Sequence, residues 1–173
     1  MASLNHDNKN QPEILFKKDA GDQEQMLLNC GYSEKAVRYF IEQPYMGTLS
    51  DADQVSEMLG SCGDTMKIFL KIDDNTITDI RYQVLGCPGA ISASMAAVDL
   101  VKGKSIEQAR KLNDGDVYHQ LVDLPAKKHH CIQLAVKTLH KAIDEYRNGH
   151  SELKNKDVEC PLTCAAPQDC CKK

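Results

Sequence analysis

In the stretch Met66-Lys67-Ile68-Phe69-Leu70-Lys71-Ile72-Asp73-Asp74-Asn75-Thr76-Ile77-Thr78-Asp79-Ile80-Arg81-Tyr82-Gln83-Val84, apolar and polar residues alternate on both sides of a short polar break. Met66, Ile68, Leu70 and Ile72 alternate with Lys67, Phe69, Lys71 and Asp73, the period-two pattern of a half-buried strand. After the turn signal Asp74-Asn75, Ile80, Tyr82 and Val84 take one face of a second run, and Asp79, Arg81 and Gln83 take the other. Two such runs around a polar break form an antiparallel hairpin. Pairing Ile72 with Ile77 and extending the register places Cys62 opposite Cys87, at the same end of the hairpin. Paired strand positions lie about 5 Å apart, which is within reach of one metal centre.

Helical patterns flank the hairpin. Upstream, Ser33 caps a run from Glu34 to Tyr39 that Pro44 and Gly47 end. Downstream, Ile91, Met95, Val98 and Val101 fall at helical spacing before Gly103. The longest periodic element carries Ile132, Ala135, Val136, Leu139, Ile143 and Tyr146 on one stripe, with Gln133, Lys137, Lys141 and Asp144 facing water. Pro125 lies upstream, so this helix starts within a few residues of His130, and Gly149 lies just beyond its end. Helices around a small antiparallel sheet of about three strands give an α+β fold with a long C-terminal helix. Residues 1–29 read as a loose polar extension, 30–150 as the folded unit and 151–173 as a cysteine-rich flexible tail.

A chain of 173 residues fits one domain, and a ~150-residue domain buries roughly 68–70% of its unfolded surface. The net charge of −4 offers no basic excess to recruit nucleic acid. The longest apolar run is Met95 to Val98, too short to span a membrane, and no apolar signal core stands at the N-terminus. The expectation is a soluble cytoplasmic protein. In such a compartment eight cysteines point to metal or sulfur chemistry rather than to staples.

Three thiols have suggestive settings. Cys62-Gly63-Asp64 places a carboxylate two residues after a thiol. Cys87-Pro88-Gly89 follows a strand and opens a helix, and His130-Cys131 sits near the start of the long helix. Helix N-termini favour the thiolate, the form that binds metal and attacks sulfur. Free cysteine is among the most buried residue types, so any one of these thiols alone reads as packing before chemistry, and it is the three at element ends that point to a site. No Cys-x-x-Cys pair supports a zinc ribbon or thioredoxin-like motif. His6, His119, His140 and His150 read as ordinary histidines. Cys160, Cys164, Cys170 and Cys171 crowd the tail, either as incidental thiols or for auxiliary metal binding or thiol exchange.

Four ordered segments carry a resemblance. They are Tyr32-Ser33-Glu34-Lys35-Ala36-Val37, Cys62-Gly63-Asp64-Thr65-Met66-Lys67, Gly86-Cys87-Pro88-Gly89-Ala90-Ile91-Ser92-Ala93-Ser94, and Leu124-Pro125-Ala126-Lys127-Lys128-His129-His130-Cys131. With Gly103-Lys104-Ser105 between the last two, the set resembles the iron–sulfur cluster assembly scaffold family of the IscU/NifU N-terminal type.

The resemblance implies a carrier rather than an enzyme. Cys62, Asp64, Cys87, His130 and Cys131 are its implied cluster ligands, and Cys131 its candidate persulfide acceptor. The implied cargo is a 2Fe–2S cluster, with zinc an alternative occupant of the cluster-free site. The implied partners are a cysteine desulfurase and apo iron–sulfur proteins, and a homodimer is left open. Where the family's chaperone loop reads Leu-Pro-Pro-Val-Lys, this chain has Leu124-Pro125-Ala126-Lys127-Lys128, which weakens the expectation of a DnaK-type chaperone. Pro88-Gly89 is also atypical and is expected to reshape its loop. The SufU branch, zinc-containing persulfide acceptors, is the alternative. Its members usually lack the histidine and carry an insertion before the third cysteine, whereas this chain keeps His130 without one. A further alternative, a cysteine nucleophile enzyme pairing Cys131 with His130, is set against the divergent directions expected of adjacent side chains.

Overall fold

The computed structural model describes residues 13–149, with side chains from residue 21 onward. Helices α1 (Glu13–Asn29) and α2 (Glu34–Glu42) precede strands β1 (Gln54–Leu59), β2 (Thr65–Asp73) and β3 (Thr76–Leu85). Then come α3 (Pro88–Val101), α4 (Ile106–Ala109), α5 (Asp114–Leu121), a 3₁₀ turn (Ala126–Lys128) and α6 (His129–Arg147). The sheet is antiparallel in the order β1-β2-β3. The α+β architecture is the one the sequence implies. Among the described residues no helix is long and apolar enough to cross a membrane.

The hairpin departs from the simple register at one place. Ile72 does pair with Ile77, but Lys71 pairs with Asp79, so Thr78 is an extra residue in β3. The reason lies in the core. Ile77 and Ile80 are both 0% exposed, yet residues three apart in a regular strand face opposite ways. A bulge at Thr78 turns both inward, and the Thr78 hydroxyl donates to Lys71 O at 3.2 Å. Beyond the bulge Met66, Ile68 and Leu70 pair with Val84, Tyr82 and Ile80, and all six are buried. Cys62 is therefore not directly across from Cys87. The ladder's last pair, Thr65 with Leu85, leads instead to Asp64 beside Gly86.

Strand β1 hides from apolar periodicity because its inward residues are polar. Gln54 and Ser56 are each 1% exposed, and both donate to Glu145 of α6, Gln54 at 3.1 Å. Buried polar groups are tolerated when so paired. Helix α3 is apolar nearly all round and is packed by α2, α5, α6 and β3. It begins at Pro88, the first helical position, where a missing N–H costs little. Pro88-Gly89 thus starts the helix directly after Cys87. Helix α6 lies on β1, β2 and α3 and buries the predicted stripe from Ile132 to Ile143, with Tyr146 half-buried. Ser33 caps α2 as expected, its hydroxyl accepting from Ala36 N at 3.1 Å.

The segment read as a loose extension is described from residue 13 as helix α1, and its Leu27 is 1% exposed in the core. The tail and its four cysteines lie outside the described residues, as do His6 and His150.

Candidate metal centre

The β1–β2 connection turns tightly, with Gly60 N–H donating to Asp64 O at 2.8 Å and Gly63 N–H to Gly60 O at 3.1 Å. Gly63 has φ +89, a conformation costly for other residues, so this loop needs glycine between Cys62 and Asp64. Cys62 stands exposed on the turn, while Asp64 is 8% exposed and points inward. Cys87 is the N-cap of α3. Cys131, in the first turn of α6, is 0% exposed.

These elements converge. Cys87 Sγ lies 3.5 Å from Cys131 Sγ and 3.4 Å from Asp64 Oδ2. Cys131 Sγ lies 3.8 Å from Asp64 Oδ2 and 3.4 Å from His130 Nε2. The Cys87 backbone N–H donates to Asp64 Oδ1 at 3.3 Å. Two sets of three ligand atoms each fit within 4.8 Å, Cys62 with Asp64 and His130, and Asp64 with Cys87 and Cys131. Asp64 belongs to both. All five residues singled out from the sequence are thus brought together around one carboxylate.

The two inner thiols do not behave alike. Cys87 is held down to about 7, first because the Cys131 thiol donates a hydrogen bond to it. Burial and the Asp64 carboxylate oppose this, and the Lys128 cation assists it. Cys131 is pushed up by that same hydrogen bond, by burial and by the negative charge of Cys87 and Asp64. Both thiols sit at helix starts, yet only Cys87 is shifted downward, first by Cys131, with the Ala90 N–H of the helix start a smaller contribution. Helix α6 gives Cys131 a terminal position, but burial and two neighbouring anions outweigh it. Of the two, Cys87 is the more readily ionised and Cys131 the more firmly protonated. The exposed Cys62 is shifted upward, first by burial and with Asp64 contributing.

The expected divergence of His130 and Cys131 is also corrected. Their side chains approach to 3.4 Å at the start of α6. Three further glycines, Gly60, Gly86 and Gly89, crowd the centre. An added Cβ on Gly60 would lie 2.7 Å from Leu134 Cδ2, and one on Gly89 would lie 3.2 Å from Lys128 Cβ and 3.5 Å from Cys131 Sγ. The third, Gly86, borders Asp64. Their clustering next to the three cysteines was the available signal.

The arrangement can hold a soft or borderline metal through thiolates and imidazole, with one hard oxygen donor. Residues 31–153 match the family described as the NifU-like N terminal domain. The chain is 40% identical over 121 residues to iron–sulfur cluster assembly scaffold protein IscU 1 of Archaeoglobus fulgidus, covering 68% of this chain and 79% of that one. It is 34% identical over 122 residues to the scaffold protein IscU of Escherichia coli, covering 68% and 94%. Its fold is shared with the SUF-system scaffold protein of Fervidobacterium islandicum, at a TM-score of 0.56 and 21% identity over 65% of this chain and 96% of the other. The matched family spans every element from α2 to α6 and all five clustered side chains, and the chain belongs to the IscU/NifU-type iron–sulfur cluster assembly scaffold family.

Proposed function

We propose that this protein is a scaffold on which an iron–sulfur cluster is put together from iron and desulfurase-derived sulfur, then handed to apo-proteins. The observation that carries the reading is the shared position of Asp64 in two overlapping ligand sets. Cys62, Cys87 and Cys131 supply thiolates, which suit sulfide-bridged iron, and Asp64 or His130 completes the set. Its role is to carry cargo, as in the family, and the residues named bind and release it.

Cys131 is proposed to accept the incoming sulfur. Since Cys131 is 0% exposed, that step requires the Lys128–Cys131 segment to move aside or the acceptor thiol to be presented by the partner's approach. Mass spectrometry after incubation with desulfurase and cysteine should find the added sulfur on Cys131. Finding it on Cys62 alone would end that assignment.

Anaerobic reconstitution with iron, sulfide and reductant tests the main reading. A scaffold gains iron and acid-labile sulfide in equal amounts, with visible charge-transfer absorption, and passes them to an apo-ferredoxin. A protein that stays colourless, holds only zinc and still accepts sulfur is instead a zinc-containing persulfide acceptor.

A further inference from the structure

We propose that Gly86 is a positioning residue for the Asp64 carboxylate, present because any side chain there would displace that carboxylate from the centre. The proposal deepens the scaffold reading and rests on Asp64 being a ligand. A Cβ built on Gly86 would lie 2.7 Å from Asp64 Cγ, 2.8 Å from its Oδ1 and 2.9 Å from its Cβ. Such distances are not sustained between real carbon and oxygen atoms, so something would have to shift. All three atoms belong to one side chain, and one of them is its first carbon. Rotating the carboxylate about its last bond therefore cannot clear the space.

The backbone of Gly86 does not explain the glycine. Its φ lies outside the left-handed region, unlike that of Gly63 at +89. Gly63 in turn has nothing within 4 Å of an added Cβ. Gly63 is required by conformation, and Gly86 by space. The bulge at Thr78 is what creates the second requirement. It shifts the register so that Asp64 and Gly86 lie one step beyond the Thr65–Leu85 pair, side by side across the two strands. Asp64 Oδ1 then receives the Cys87 N–H at 3.3 Å, and Oδ2 faces both inner thiols. An alanine at 86 would part the strand ends or turn Asp64 out toward solvent.

The test is a double-mutant cycle read by zinc affinity, using a competing chromophoric chelator and zinc alone. Gly86→Ala and Asp64→Ala should each weaken zinc binding about 10- to 100-fold, the range for lost ligand support. The combined variant should bind no more weakly than Asp64→Ala, because the same ligand is lost only once. Cobalt-substituted Gly86→Ala should give the visible spectrum of cobalt-substituted Asp64→Ala. Wild-type affinity in Gly86→Ala, or losses that multiply in the combined variant, would overturn the positioning role. Wild-type affinity in Asp64→Ala would overturn the ligand reading itself, and the proposal with it. A second measurement separates misfolding from misplacement. Metal-free Gly86→Ala should melt about 5 °C below wild type from overpacking. Asp64→Gly/Gly86→Ala, which removes all three clashing atoms, should melt with Asp64→Gly. An equal loss in the Asp64→Gly background would place the clash elsewhere and refute the contact.

Discussion

The two ends of the β2–β3 hairpin are fastened in different ways. At the turn end, Asp74 and Asn75 have φ of 43 and 63, the two-residue turn whose twist matches the strands. Backbone bonds then tie this end to the α3–α4 connection. Gly103 N–H donates to Ile77 O at 2.8 Å, Ile77 N–H to Lys104 O at 3.0 Å and Ile106 N–H to Asn75 O at 2.9 Å. At the cysteine end the backbone ladder stops at Thr65 with Leu85, and beyond it Asp64, Cys87 and Cys131 meet through side chains, a carboxylate accepting one N–H and lying against two cysteine sulfurs. A metal cannot replace backbone bonds, but it can take over from thiol contacts without unmaking the fold. The difference teaches which end could exchange a metal while the other keeps the fold, and it makes the proposed site testable against the turn.

The largest effect separating the ends is metal stabilisation. Zinc at a thousandfold excess over its dissociation constant should stabilise the folded state by about 4 kcal/mol. Cys87→Ser should lose most of that gain, while Asn75→Ala keeps it all. Thermal unfolding with and without zinc measures both. Equal zinc shifts in Cys87→Ser and wild type would show that the metal binds elsewhere.

Asp64→Ala should next alter release. A carboxylate is a poor match for sulfide-bridged iron and adds charge beside an anionic centre, where low dielectric magnifies repulsion. Zinc accepts carboxylate oxygen readily, so its affinity falls in this variant. A cluster can instead turn to His130, whose Nε2 lies 3.4 Å from Cys131 Sγ. The variant should still assemble a cluster but pass it to an apo-ferredoxin about fivefold more slowly, a barrier rise of ~1 kcal/mol. Faster transfer or faster decay than wild type, at matched folding, would leave Asp64 with only a structural role.

At the turn end, Asn75→Ala should cost about 1 kcal/mol, since alanine tolerates the left-handed region less well. Zinc affinity should not change. Denaturant unfolding and zinc competition on one preparation check both halves. A loss of zinc affinity would mean that the two ends are coupled through the strands.

What the sequence revealed follows the same division. The hairpin was legible because one face is apolar, and the ligand residues because thiols, carboxylate and imidazole stand in short motifs. The bulge was missed although Ile77 and Ile80, three residues apart, cannot share a face without one. Strand β1 escaped because its inward Gln54 and Ser56 are satisfied by Glu145, which lies far along the chain. The starts of α4 and α5 carried readable capping boxes, Ser105 with Gln108 and Asn113 with Asp116, that apolar periodicity passes over. The opposite shifts of Cys87 and Cys131 depend on a 3.5 Å approach between residues 44 apart, which no local pattern records.

The smallest effect belongs to neither end and calibrates the others. His140, midway along α6, has its Nε2 buried without a partner among the described residues, and the Leu112 backbone favours its charged form. Burial first, and then the Arg110 guanidinium, hold its pKa below the usual histidine value. Asp144 and Asp114 pull the other way, but Asp144 is already engaged by Arg110 at 2.8 Å. The folded state thus keeps His140 neutral where the unfolded chain takes up a proton. Its contribution to stability is complete above the unfolded pKa, about 6.5, and is lost as pH falls from there through the folded value. His140→Gln cannot titrate and retains a donor. Between pH 7.5 and 5.5 its melting temperature should fall less steeply than that of wild type, with zinc affinity at pH 7.5 unchanged. Parallel slopes would show that His140 is as easily protonated in the folded protein as in the unfolded chain. A zinc change would show that α6 transmits strain from its middle to Cys131.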